Sequence, residues 1–214
     1  MALCRLFGAL SVLACTIGAP SQAQVIEFEE NGLSYQTLTK GGVTIMYASL
    51  PAHVKDYTII QVAISNGSPI VWTIKPEDFS FERADASIVP ASHVQDVVLR
   101  LMRSGSRNDV INLVQTYEMG IYGLTRFRST NGYEQRRQAA FGAVSSPKLK
   151  AAAAASAVAF ALTKLPAGKS TDGAIFFERS GKGLGAGRLV VKAGGEIFRF
   201  DLTDEHGQHH TTTQ

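Results

Sequence analysis

The chain has 214 residues, 18% of them charged and 45% hydrophobic, with a formal net charge of +3. At roughly 100–200 residues per domain, this is one domain or one domain with a sizeable insertion, and the composition excludes a collagenous or wholly disordered chain. Both cysteines, Cys4 and Cys15, lie in the first 24 residues, so a chain starting near Gln24 has no disulfide framework, no thiol nucleophile and no cysteine-ligated metal centre.

Residues 1–23 read as a secretory signal peptide. Arg5 is the only charge, an apolar run covers Leu6 to Ile17, and Ser21-Gln22-Ala23 puts small residues at the −3 and −1 positions. A rival route stays open, because Val12-Leu13-Ala14-Cys15 resembles a bacterial lipoprotein box in which Cys15 would carry the lipid. The expected location is periplasmic or extracellular, either free or tethered through Cys15. The longest later apolar run, Ala151–Leu162, has 12 residues, short of the roughly 20 that a spanning helix needs. The mature chain is thus expected to have no transmembrane span.

From Val25 to about Pro90 the pattern is β. Val43, Ile45 and Tyr47 alternate with polar neighbours, Ile60, Val62 and Ile64 share a face, and Asn66-Gly67-Ser68-Pro69 is a turn. Ile70, Trp72 and Ile74 alternate again, and Phe79 and Phe81 follow Pro76. Residues 91–164 change to helical spacing. Val94, Val97, Val98, Leu101 and Met102 predict a first helix with Ser92 as N-cap and Gly105 as its stop. Val110, Leu113, Val114, Tyr117, Ile121 and Leu124 predict a second, and a third runs from near Asn131 through Val144. The fourth has Ser146 as N-cap and Pro147 at its first position, and is expected to continue from Lys148 to Lys164. After Gly168 the β pattern returns: Ile175 and Phe177, then Leu189–Val191, a Gly194-Gly195 hairpin, and Phe198, Phe200 and Leu202. Residues 204–214 read as a flexible tail.

The expected fold is therefore α+β, an antiparallel sandwich of residues 24–90 plus 165–203 interrupted by a four-helix insertion at 91–164. That insertion is basic, with ten Lys or Arg against four acids, while the remainder of the mature chain is net acidic.

Ile60–Pro69 followed by Ile74-Lys-Pro-Glu-Asp-Phe-Ser-Phe81, and Leu165-Pro-Ala-Gly-Lys-Ser-Thr-Asp-Gly-Ala-Ile-Phe-Phe177, are similar to segments of small secreted bacterial immunoglobulin-like domains of unknown function. The resemblance covers roughly residues 54–90 and 165–202, and the helical block departs from it. It implies an immunoglobulin-like sandwich and brings no catalytic residues, because that fold hosts many unrelated roles.

Motifs for chemistry are sparse. Gly168-Lys169-Ser170-Thr171 matches the end of a phosphate-binding loop, but Thr163 stands where its first glycine belongs, and the flanking strand and helix are in the wrong order. Gly181, Gly183, Gly185 and Gly187 precede a strand, so they read as an inter-strand loop rather than a dinucleotide site. His206, His209 and His210 lie in the polar tail, and His53 and His93 are isolated. Glu77 and Asp78 are adjacent and so do not face one substrate together, with Asp78 read as capping a turn. No cofactor and no metal site is expected, and no nucleophile–base–orienter set is readable, which disfavours a hydrolase.

Two features carry functional weight. Arg126, Arg128, Arg136, Arg137, Lys148 and Lys150 are candidate contacts to an anionic surface, against the alternative of a solvated helix face. The alanine-rich fourth helix invites close packing, within the insertion or against a partner. The expected role is an exported, non-catalytic module making protein or envelope-assembly contacts through its helices; the alternative is docking on anionic membrane. An exported destination and thin aromatic interleaving argue against nucleic acid. The intact mass of the mature protein tests the leader: a free chain starting at Gln24 is expected, and a lipid-modified chain starting at Cys15 would replace it with the tethered form.

Overall fold

The computed structural model describes residues 23–122, 124, 129, 131–142, 144–179 and 183–202. Among these, eleven strands and four helices make an α+β architecture. One sheet has five strands in the order β1-β2-β3-β4-β9, where β1 is Ile26–Glu30, β2 Leu33–Lys40, β3 Val43–Val54, β4 Tyr57–Asn66 and β9 Ser170–Glu178. A second has four, ordered β11-β10-β6-β7, with β6 Phe79–Arg83, β7 Ile88–Pro90, β10 Gly187–Ala193 and β11 Glu196–Leu202. Short strands β5, Trp72–Ile74, and β8, Thr163–Leu165, pair with each other. Every paired strand is antiparallel, consistent with a β-sandwich.

The alternation seen in the sequence builds the core between the sheets. Ile60, Val62 and Ile64 of β4 meet Phe79, Phe81, Leu189, Val191, Phe198 and Phe200, all of them fully buried. Rings meet edge-on rather than face to face: Tyr47 and Phe200 with centroids 5.1 Å apart, Phe81 and Phe177 at 6.4 Å, Trp72 and Phe198 at 6.5 Å. Two side chains bridge the sheets at their margin. Lys40 Nζ donates to the Ile197 carbonyl at 2.6 Å and Gln36 Nε2 to the Asp201 carbonyl at 2.8 Å. The predicted Gly194-Gly195 hairpin is present, both residues with positive φ of 57° and 82°, as a two-residue turn of this hand requires.

Asn66 organises the predicted turn at the end of β4. Its Oδ1 accepts from the Ser68 N–H at 2.9 Å, while its Nδ2 donates to the carbonyls of Ile70 and Leu165. Lys169 and Gly168 bond to the Asn66 backbone and Ser170 opens β9, so the phosphate-loop-like tetrapeptide is a strand entry. Asp78 accepts from the Lys75 N–H at 2.9 Å, the predicted cap of the turn Pro76–Asp78.

Four helices follow one another between β7 and β8: α1 Val94–Ser104, α2 Arg107–Tyr122, α3 Tyr133–Gly142 and α4 Pro147–Val158. They cover the outer face of the five-stranded sheet. A second core forms there from Tyr35, Ile59 and Phe176 of the sheet with Val97, Leu101, Leu113, Tyr117, Tyr133 and the alanines of α4. Helix α4 packs against all three other helices, and its small side chains permit that close approach. None of the helices among the described residues is long and apolar enough to cross a membrane.

Three boundaries differ from the expectation. Ser146 caps α4 as predicted, accepting from the Leu149 N–H at 3.2 Å, but the helix stops at Val158 rather than Lys164. Phe160 is drawn away: its N–H donates to the Ala174 carbonyl at 2.9 Å and its ring enters the sandwich core 5.7 Å from Phe79. Burying a phenylalanine outweighs the helix propensity of the next residues, and Thr163–Leu165 becomes β8. At α1 the N-cap is His93, without a side-chain bond. Ser92 instead donates its N–H to the Phe176 carbonyl at 2.8 Å, pinning the strand-to-helix crossing to β9. Helix α3 begins at Tyr133, with the Asn131 side chain accepting the Tyr133 N–H.

Phe160 can cross β9 because residue 173 is glycine; a Cβ there would collide with the Phe160 backbone and side chain. Gly173→Ala is expected to cost about 1–3 kcal/mol through overpacking, read by urea denaturation. Gly142→Ala, where a Cβ meets nothing within 4 Å, should stay within about 0.5 kcal/mol of the parent.

Candidate functional site

The residues singled out in the sequence fall in different places. Cys15, Arg126, Arg128, His206, His209 and His210 lie outside the described residues. His93 Nδ1 is 3.8 Å from Glu77 Oε1 on the surface, and the His53 carbonyl accepts from Asn112. Asp78 is occupied in its turn and Glu77 in the His93 contact, so the two carboxylates do not act together.

Arg136 and Arg137 point into the molecule's own framework. Arg136 donates through Nε and Nη2 to the Ala157 carbonyl, at 3.3 and 3.1 Å, and through Nη1 to the Asn131 carbonyl. The Ala157 carbonyl belongs to the last turn of α4 and has no partner within its helix, so Arg136 satisfies it and places a cation at the negative helix end. Arg137 bridges Glu118 at 2.9 Å and Glu134 at 3.5 Å, and lies over the Tyr133 ring at 6.0 Å. Lys148 is exposed and Lys150 half-buried at the start of α4, and neither has an ion-pair partner among the described residues.

A polar cluster not anticipated from the sequence sits between α2, α3 and β9. The register pairing Ala63 with Asp172 turns the Asp172 side chain to the helix-covered face, where the residue is 2% exposed. The Tyr117 hydroxyl donates to Asp172 Oδ2, and Asn131 Nδ2 donates to the Asp172 carbonyl at 2.9 Å. Burial pushes the Asp172 carboxyl above its ordinary range, opposed by hydrogen bonds from Ser129 and Tyr117 and by the charge of Arg136. Burial and the adjacent carboxylate raise the Tyr117 phenol well above 10, so it stays protonated and donates.

From this pair the contacts run outward. The Tyr117 and Tyr133 rings lie 4.9 Å apart, and the Tyr133 hydroxyl donates to Glu118 Oε1 at 2.9 Å. Glu118 holds Arg137, Arg137 holds Glu134, and Glu134 accepts from the Tyr122 hydroxyl, which that bond pushes up to about 12. Beside it, Gln61 Nε2 reaches the Tyr117 carbonyl at 3.4 Å, and the buried Tyr35 hydroxyl donates to the Gly120 carbonyl at 2.9 Å. Apart from the Arg137–Glu134 pair, which lies within α3, each of these outward contacts joins a helix to the sheet or to another helix. Their chemistry is positional: protonated phenols are matched to carboxylates and hold α2 and α3 at one depth and rotation over the strands.

The signal for this cluster was one acidic residue directly before the apolar run of β9, Asp172-Gly-Ala-Ile-Phe-Phe. Two-sided burial of β9 converts that residue from a turn-like solvated group into one needing partners.

The outward side of the helical layer is different. Leu99 and Met102 of α1, Ile111, Met119 and Tyr122 of α2, and Leu149 of α4 are between 40% and 57% exposed. Ile111, Met119 and Tyr122 fall within one face of α2 at 3.6 residues per turn.

No family model and no curated protein matches this sequence. Among solved structures, the chain is similar to the yjhA protein from Bacillus subtilis, with 10% identity over 78% of this chain and 77% of that one and a TM-score of 0.31. That likeness is too loose to carry fold or role.

The Asp172 carboxyl has a folded-state pKa above 3.8. As pH rises from 3.8 through that folded value, the unfolded chain has already released a proton that the folded chain still holds, so this group's contribution to stability falls, and the deficit persists above it. Asp172→Asn has no charge to desolvate. Its stability relative to the parent is expected to improve as pH rises from about 4 to about 7, read by urea titration. Parallel curves for the two proteins would refute a desolvated carboxylate.

Proposed function

We propose that this protein is an exported, non-catalytic immunoglobulin-like module whose helices form an insertion between two β segments, at 91–164, and present a contact surface to a protein partner. The sandwich of 24–90 and 165–203 is the carrier in this reading. Support comes first from the buried cluster: Tyr117 and Asp172 are 0% and 2% exposed, and the hydrogen bonds just described commit them to holding helices on the sheet.

The observation that carries the proposal is the outward face of the helical layer, with Leu99, Met102, Ile111, Met119, Tyr122 and Leu149 at 40–57% exposure. Large apolar and aromatic side chains on a polar rim are what protein interfaces desolvate. Arg103 and Lys148 are exposed in the same layer and unpaired among the described residues, which favours a partner surface carrying acidic groups at its edge. The membrane-surface alternative loses two of its contact residues, since Arg136 and Arg137 are engaged internally.

A photo-crosslinking residue at position 111 or 119, introduced in the producing cell, is expected to trap a discrete adduct that the same residue at position 70 does not. Ile70 is as apolar and 62% exposed, but lies on the sandwich. Adducts at position 70 with none at 111 or 119 would move the contact surface to the strands and overturn the proposal.

A further inference from the structure

The outer helices also enclose a cleft of about 430 Å³. Its walls come from three elements: Val110 and Ile111 from the start of α2, Phe141 from the end of α3, and Pro147 at the start of α4. Arg107, Lys150 and Ser145 complete the lining, so polar groups are few and both charges are positive. Among the described residues no carboxylate lines it. The nearest acid in sequence to its α2 wall, Asp109, is buried and already holds Lys55 at 2.9 Å and the Ser106 hydroxyl and N–H. Burial works against the charge of Asp109, but those bonds prevail and keep its carboxyl below the ordinary range, so it is not available to neutralise the cleft. Arg107 and Lys150 have no ion-pair partner among the described residues.

We propose that this cleft is a binding site for a monomeric amphiphilic anion, a carboxylate or phosphate on an alkyl chain, with the head between Arg107 and Lys150 and the chain against Val110, Ile111, Phe141 and Pro147. The volume lies within the roughly 300–1,000 Å³ of small-molecule sites, which combine apolar walls with a few placed polar groups. Neither half of the lining suits another class of ligand. A small inorganic anion would leave the apolar wall in contact with water, and a neutral hydrocarbon would leave two unpaired cations at the rim. An alkyl chain gains about 0.8 kcal/mol for each methylene it withdraws from water, and an anionic head is the group that both cations can serve. The site is separate from the exposed apolar face argued to meet a protein, apart from Ile111 at their border.

Dodecanoate, kept below micelle formation, is the probe, titrated calorimetrically into the purified protein. One saturable site is expected. Arg107→Gln with Lys150→Gln should weaken it by about tenfold, the effect of removing one exposed and one half-buried charge contact. Ile111→Trp keeps both charges and fills the cleft from a position that is already 40% exposed, so it should abolish binding while thermal unfolding stays close to that of the parent. Equal binding of dodecanoate and a neutral dodecyl alcohol would overturn the anionic head. Unaltered binding in Ile111→Trp would overturn the location. Binding to vesicles of anionic phospholipid with none to monomeric dodecanoate would assign the charges to a membrane surface and overturn the site. None of these outcomes bears on crosslinking at Met119, so the two proposals fail separately.

Discussion

A strand withdrawn from water on both faces must satisfy two cores at once, and β9 does so along nearly its whole length. Thr171 to Phe177 are all buried; Ile175 and Phe177 face the sandwich core, and Ala174 and Phe176 face the helices. The neighbouring β4 is built the same way, with Ile60, Val62 and Ile64 on one side and Ile59 and Gln61 on the other. Most of the other structural features follow from this. The helices have a covered sheet face to bury their stripe against, and the α1 entry and α4 exit are both tied to β9, through the Phe176 and Ala174 carbonyls. Any polar side chain on the shared face, as Asp172 and Gln61 are, has to find its partners inside the protein.

That constraint also decides what was legible in the sequence. Strands with one wet face announced themselves, as in Phe198 and Phe200, which alternate with exposed Arg199 and Asp201. The Asn66 turn, the Asp78 cap, the Ser146 cap and the Gly194-Gly195 hairpin were readable because each rests on local backbone chemistry. The end of α4 was not, because an alanine-rich helix gives no local reason to stop at Val158; the reason is the cavity that Phe160 fills in a different core. The partners of Asp172 were hidden for the same reason. Tyr117 lies 55 residues away in the chain, and nothing in either local pattern links a helical tyrosine to a strand carboxylate.

Charge shows how far composition alone can mislead. The excess of Lys and Arg in 91–164 is real, yet its members have opposite uses. Arg136 closes a helix end and Arg137 ties α3 to Glu118 of α2, whereas Arg107 and Lys150 stand at a cleft with apolar walls. A single stretch of positive charge in the sequence is therefore divided between internal scaffolding and the lining of an outer cleft. The division follows from which side of each helix meets the sheet, information that a count does not contain.

The two-core strand also has a kinetic consequence. β9 pairs with β4 in a register that brings Ser65 against Ser170, 105 residues apart, and the intervening chain contains all four helices. The helices are local structures and can form early, but the sheet face they need is incomplete until that distant pairing closes. Contacts so far apart in the chain slow folding, because loop-closure entropy is lost before the contact rewards it. In the interval, the apolar stripe of α2 and the alanine face of α4 are left without the sheet that will cover them. A chain of this topology is therefore most exposed while it folds, and the pairing of the nine-residue strand β9 is the step that ends that exposure.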